Sequence, residues 1–106
     1  MLLKRADFAA AEPVWKEVAA LRRQRFEAGH HLIGEAEGMQ GGSLIGQGRY
    51  PEAERLLLAV HRRMTASADP SSAAAARTAA QFLSILYEKW GKPEQAERWK
   101  TRSQPR

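Results

Sequence analysis

Apolar residues recur along most of this chain at steps of three and four positions, which is the spacing of one face of an α-helix. Alanine, glutamate, arginine and leucine fill the segments between glycine and proline, and runs of β-branched residues are missing. The pattern therefore predicts an all-α protein with about five helices. We expect these helices over about 7–26, 30–47, 51–65, 70–90 and 93–102.

Proline and glycine mark the boundaries of the last three helices. Pro51, Pro70 and Pro93 are expected at the start of a helix, where the missing N–H of proline would have no intrahelical partner anyway. Asp69 is placed to cap the fourth helix, and Gly91 to end it. These signals set the boundaries more sharply than the apolar pattern does.

The predicted helix over 30–47 contains an unusual amount of glycine. Each glycine costs about 1 kcal/mol relative to alanine inside a helix, so packing against neighbours would have to hold this segment together. Four of the glycines stand four apart, which lines them along one side and would let another backbone approach closely. The alternative is a frayed or irregular segment. The glycines are Gly34, Gly38, Gly41, Gly42 and Gly46.

Three short segments, 7–12, 49–54 and 92–97, share an Ala-Glu pair and follow one another at offsets of 42 and then 43 residues. A fixed period in this range indicates one supersecondary unit copied along the chain. Each copy is too small to bury its own apolar face and therefore stacks on its neighbours. Stacked units of this kind more often form binding surfaces than active sites.

A second pair of positions also matches between two copies of the repeat. A small residue, Gly41 or Ser84, stands 12 positions before an alanine, Ala53 or Ala96. In two antiparallel helices joined by a tight turn, a small residue on each helix lets the backbones come close together. We therefore expect both alanines to be buried beside the small residues.

This arrangement resembles the tetratricopeptide repeat. The period and the segments 48–57 and 11–14 are more similar to the kinesin-light-chain variety than to the form of about 34 residues. The segment 86–93 is similar to the last repeat of arrays that follow a serine/threonine kinase domain in large bacterial proteins. Neither a Gly-rich phosphate loop nor a His-Arg-Asp phrase is present in this sequence.

The resemblance implies a single domain over 1–106, an α-solenoid of antiparallel helical hairpins with about two and a half repeats. The first repeat would contribute only its second helix, over 7–26. The second repeat would occupy 30–65 and the third 70–102, with a disordered tail over 103–106.

In the resembling family, the first helix of each hairpin lines a concave groove that binds a peptide or protein segment. The resemblance thus implies a non-catalytic scaffold for protein binding, the C-terminal part of a larger array, with no enzyme activity and no cofactor. The positions that correspond to the groove are Glu35, Gly38, Met39, Gly42, Gly46, Thr78, Gln81, Phe82, Ile85 and Lys89.

The first predicted helix supports a different hypothesis. It has no preceding partner helix, so its apolar face would be only half covered and could drive association into a homo-oligomer. The residues expected on this face are Phe8, Trp15, Val18 and Leu21.

A net charge of +5 and a pI near 10.1 raise nucleic acid as a partner. Arginines late in helices, such as Arg22 and Arg63, instead complement the negative end of the helix dipole. No aromatic residues are interleaved with the basic clusters as base-stacking platforms. We treat nucleic-acid binding as the weakest of the three hypotheses.

Little in the sequence supports a metal site, a membrane span or a catalytic residue. His30, His31 and Glu35 could be imagined as metal ligands, but histidine at a helix start more often caps it. The chain has no cysteine and no apolar stretch of the roughly 18 residues that a membrane span needs. These features favour a cytoplasmic protein with no membrane partner, no metal and no catalytic residue.

Overall fold

The computed structural model describes the backbone of residues 5–104 and the side chains of residues 7–104. Within this part there are five α-helices and no strand, which confirms the all-α prediction. The last helix includes Ser103, the first residue of the expected tail, and residues 105–106 lie outside the described part. The helices are α1 (Arg5–Arg25), α2 (His31–Gly46), α3 (Tyr50–Ala66), α4 (Pro70–Lys89) and α5 (Pro93–Ser103).

The turns between α2 and α3 and between α4 and α5 have the same structure. Gly48 and Gly91 have φ of 76° and 79°, which a residue with a side chain rarely adopts. In the first turn Arg49 N donates to Leu44 O at 2.9 Å, and in the second Lys92 N donates to Tyr87 O at 2.7 Å. Donors and acceptors both differ by 43 positions, so the sequence repeat is also a repeat of backbone conformation.

Each helix packs on the next one along the chain, and α2 also packs beside α4. Within residues 5–104, α1 has close backbone contacts with α2 alone, and α3 and α5 have none with each other. The described chain therefore consists of the hairpins α2–α3 and α4–α5 side by side, with α1 on the outer side of the first hairpin.

The main core lies between the two hairpins. Ala53 and Ala96 are 0% and 3% exposed, and Ser84 Oγ donates to Ala96 O at 3.1 Å, which confirms the predicted burial of both alanines. Trp90 and Trp99 cover the edge of this cluster. The buried members are Leu44, Ile45, Ala53, Leu57, Leu83, Leu86, Tyr87 and Ala96.

The glycine-rich segment is a continuous helix from His31 to Gly46. Its glycines receive side chains from three other helices: Phe8 of α1 lies against Gly46, Leu57 of α3 against Gly41 and Phe82 of α4 against Gly42. Side chains rather than another backbone therefore approach this helix, because the neighbouring helices carry large residues opposite all of its glycines except Gly38.

Alanine substitutions in α2 should separate helix propensity from packing. Among the described residues, a Cβ at Gly38 would meet no atom within 4 Å apart from the nearby backbone of α2 itself, whereas a Cβ at Gly41 would lie 2.6 Å from Leu57 Cγ. Gly38→Ala is expected to stabilise the protein by about 0.5–1 kcal/mol through propensity alone. Gly41→Ala gains the same propensity but crowds a buried side chain, at a cost of about 1–3 kcal/mol.

Urea unfolding of the two variants measures this difference. A stabilised Gly41→Ala variant would contradict the close approach of α2 and α3, and a strongly destabilised Gly38→Ala variant would contradict the open space beside Gly38.

A buried carboxylate joins the first three helices. Glu37 of α2 is 5% exposed and accepts hydrogen bonds from Arg23 of α1, at 2.6 Å, and from Arg63 of α3. This network was not predicted from the sequence, because arginines late in helices were interpreted only as complements of the dipoles of their own helices. Because an unpaired buried charge is costly, the stability of the fold should depend strongly on both arginine partners of Glu37.

Candidate functional site

The helices α2 and α4 leave a cleft of about 250 Å³ between their N-terminal halves. Its walls are open because both helices carry small residues there: Gly34 and Gly38 on α2, and alanines on α4. The lining residues are His31, Gly34, Glu35, Gly38, Ser71, Ala74, Ala75 and Thr78.

The starts of both helices meet at one end of this cleft. His30 caps α2, since its Nδ1 accepts from Leu32 N at 3.1 Å, and Asp69 caps α4, since its Oδ1 accepts from Ser71 N at 2.9 Å. His31 Nδ1 lies 3.7 Å from Asp69 Oδ2. The contact of His31 with Asp69, the residue that caps α4, therefore joins the starts of α2 and α4.

Glu35 supplies negative charge to the wall of the cleft. Its side chain is 53% exposed and pairs with Arg22, whose Nη1 lies 3.1 Å from Glu35 Oε1 and 2.7 Å from Leu32 O. Among the residues that the structure describes, no lysine or arginine lines the cleft. Glu35 is the one carboxylate in this described lining, and Arg22 partly neutralises its charge.

The groove residues predicted from the repeat resemblance are distributed unevenly. Glu35, Gly38 and Thr78 line the same cleft, and the ring of Phe82 lies on Gly42 just beyond it. Thr78 Oγ1 donates to Ala74 O at 3.2 Å, which leaves its lone pairs for a ligand.

The remaining predicted groove residues do not line the cleft. Met39 is half-buried, Gln81 and Lys89 are exposed, and Ile85 is 40% exposed. Gly46 is covered by the ring of Phe8.

Sequence reasoning missed five of the lining residues, His31, Gly34, Ser71, Ala74 and Ala75. The run of small residues at the start of α4 opposite the glycines of α2 is the signal that could have indicated them.

The apolar face expected for self-association divides into two parts. The ring of Phe8 packs against Gly46 of α2, and Trp15 and Val18 are half-buried. Leu21 is 54% exposed, and so is Val14, at 58%, which the prediction did not include. The position of Val14, seven residues before Leu21 and hence on the same helix face, is the signal for it.

Several arginines that contribute to the net positive charge are bound to carboxylates. Arg49 donates to Glu52 at 3.0 and 2.6 Å and to Glu12 at 3.2 Å, which joins the start of α3 to α1. The hydrogen bonds with Glu52 raise the pKa of Arg49, and the same bonds lower the pKa of Glu52. Together with Arg22 and the arginines bound to Glu37, these groups are less available to phosphates.

None of the helices in residues 5–104 combines the length and the apolar character that a membrane-spanning segment requires. Comparison of the chain with protein-family models, with curated protein sequences and with solved structures found no significant match. The resemblance to the tetratricopeptide repeat thus stays an interpretation of the sequence.

Proposed function

We propose that this chain is a non-catalytic protein-binding module of the tetratricopeptide type, which binds an extended peptide segment of another protein between α2 and α4. The observation that carries the proposal is the cleft between these helices. It is open and lined mostly by small residues, and it includes Glu35, Gly38 and Thr78 from the predicted groove.

An α-solenoid of antiparallel hairpins is supported by two features. The hairpin turns at Gly48 and Gly91 have matching hydrogen bonds 43 positions apart. The first helices of the two hairpins, α2 and α4, have close backbone contacts, whereas within residues 5–104 the second helices, α3 and α5, have none with each other. Side-by-side hairpins in one register place the first helices on one surface, where a ligand can contact several repeats at once.

The chemistry of the cleft favours an extended ligand with a basic side chain. Gly38 leaves room for a peptide backbone close to α2, and the lone pairs of Thr78 Oγ1 can accept a backbone N–H. Glu35 and Asp69 supply negative charge near the two sides of the cleft. The absence of cysteine fits a module that works in the cytoplasm.

A peptide selection tests the proposed function. Random extended peptides displayed on phage are selected on the wild-type protein and then measured against Gly38→Leu and Gly38→Ala. The leucine should fill the cleft without disturbing the helix, since nothing lies within 4 Å of its Cβ position. We expect the selected peptides to contain a basic residue and to bind Gly38→Leu at least roughly tenfold more weakly.

The alanine variant is the matched control, because it changes the same position but leaves most of the cleft open. No enrichment of any peptide, or equal affinity for the wild type and Gly38→Leu, would contradict binding between α2 and α4.

A second candidate function, self-association through α1, is favoured by the exposure of Val14 and Leu21. These side chains are 58% and 54% exposed and lie on one side of a helix whose backbone contacts only α2 among its described neighbours. An apolar face of this kind is typically covered by another helix. The α1 helix of a second copy of the chain would cover this face through a two-fold symmetric contact.

Sedimentation velocity distinguishes this candidate. If α1 mediates association, the wild type sediments as a dimer at tens of micromolar and the Val14→Ser/Leu21→Ser variant as a monomer. Ile85→Ser, which changes the exposed apolar residue of α4, should leave the dimer intact. A wild-type monomer at this concentration would rule out obligate association through α1.

A further inference from the structure

A second cleft, of about 440 Å³, lies on a different part of the surface, between the ends of α3 and α5 and the first half of α4. Met64, Ala73 and Ala76 provide its apolar part. Arg77 of α4 and Arg102 of α5 also line it. The cleft therefore combines an apolar surface with two guanidinium groups.

The two arginines differ from those that hold the fold together. Arg49 and Arg63 are each bound to a glutamate, whereas within residues 7–104 neither Arg77 nor Arg102 forms an ion pair. In the part of the chain that the structure describes, no carboxylate lines the cleft. The positive charge of this cleft is thus not neutralised by the described part of the protein.

Aromatic contacts fix the position of Arg102. Its guanidinium carbon lies 4.5 Å from the centre of the Trp99 ring, and this ring is in edge contact with His61, at 4.7 Å between centroids. A guanidinium held against an indole keeps its N–H groups available at the edges of its plane. His61 itself lines the cleft.

We propose that this cleft binds a carboxylate group on a short apolar stem. The planar guanidinium fork matches the two oxygens of a carboxylate, and the apolar part of the cleft accommodates the methylene groups next to it. A free organic acid and a glutamate side chain of a peptide both present this chemistry. The proposal concerns a site apart from the cleft between α2 and α4 and does not depend on it.

His61 provides a reporter for an anion in the cleft. Partial burial, together with the positive charge of Arg102, holds the pKa of His61 below its usual range. The other charged group that lines the cleft is Arg77 of α4, and no acidic residue lines it. A bound carboxylate would oppose the field of the two arginines, so binding should raise the pKa of His61.

The test is an NMR titration of the isotope-labelled protein that follows the indole N–H of Trp99 and the ring of His61. Butyrate represents the free acid, N-acetyl-glutamate amide represents the side chain, and butyramide is the uncharged control. We expect saturable shifts with at least one acid, a higher pKa of His61 in its presence, and no saturable shift with butyramide. The acid that binds more tightly identifies the source of the carboxylate.

Four variants locate the effect. Arg77→Gln and Arg102→Gln should each weaken acid binding by roughly tenfold, as expected for the loss of a charge-assisted hydrogen bond. Arg98→Gln makes the same change of charge at an exposed residue outside the cleft and should bind like the wild type. Arg77→Lys keeps the charge without the fork and should bind with intermediate strength. Absence of saturation with both acids, equal shifts with butyramide, or unchanged binding in both glutamine variants would overturn the proposal.

Discussion

Replacing Leu57 by alanine is expected to destabilise the protein by about 2–5 kcal/mol. Leu57 is 0% exposed and belongs to the cluster that joins the two hairpins, with Leu44 and Leu83 among its members. The loss combines the transfer free energy of the removed methyl and methine groups with the cavity that they leave. A chain of this size has a total stability of about 5–15 kcal/mol, so the variant should unfold at a much lower urea concentration.

A second substitution makes this prediction specific to the contact between α2 and α3. Gly41→Ala crowds Leu57 in the wild type, but in the Leu57→Ala variant the added methyl group would enter the vacated space. Gly41→Ala should therefore destabilise the wild type and stabilise the Leu57→Ala variant. Urea unfolding of the four proteins gives the coupling energy, and additive effects would contradict direct contact between these positions.

Removing both arginine partners of Glu37 is expected to cost about 3–5 kcal/mol, because a buried carboxylate is left without compensation. The variant is Arg23→Met/Arg63→Met, in which methionine keeps much of the apolar stem of arginine. Glu37 is 5% exposed, whereas the arginines are half-exposed, so the charge left buried and unpaired is that of the glutamate. Chemical unfolding at neutral pH measures the loss.

The triple variant, with Glu37→Met added, is the control for this second prediction. It contains no buried charge, and apolar replacement of a whole buried ion-pair network is often neutral or stabilising. We expect the triple variant to recover most of the stability that the double variant loses. A double variant as stable as the wild type, or a triple variant no more stable than the double, would show that Glu37 does not depend on Arg23 and Arg63.

Local sequence signals predicted the helices well. Prolines at helix starts, caps such as Asp69, and glycines such as Gly91 act within a few residues, so their effect can be inferred without knowledge of the rest of the fold. The repeat period added tertiary information, since it required Ala53 and Ala96 to be buried in equivalent places.

The identity of neighbouring side chains could not be predicted in the same way. The glycine spacing in α2 indicated close approach, but nothing in the sequence specified that Phe8 and Phe82 would lie over Gly46 and Gly42. The residue that fills such a space depends on the lateral positions of three other helices. A repeat period fixes these positions only to within a few residues.

The candidate sites were predicted only in part, for a related reason. Glu35 and Thr78 were assigned to one groove from the repeat resemblance, and both line one cleft. The cleft with Arg77 and Arg102 arises where α4 and the end of α5 leave a space beside α3, and residues far apart in sequence meet there. The Glu37 network was missed because long arginine side chains select partners by reach in three dimensions.

Ligand binding between α2 and α4 is tested most directly by an NMR titration of the isotope-labelled protein with a peptide selected on it. We expect the largest saturable shifts at the backbone amides of Glu35, Gly38 and Thr78, and we expect Gly38→Leu to abolish them at the same peptide concentration. Largest shifts at Val14 and Leu21 of α1, unaffected by Gly38→Leu, would contradict it.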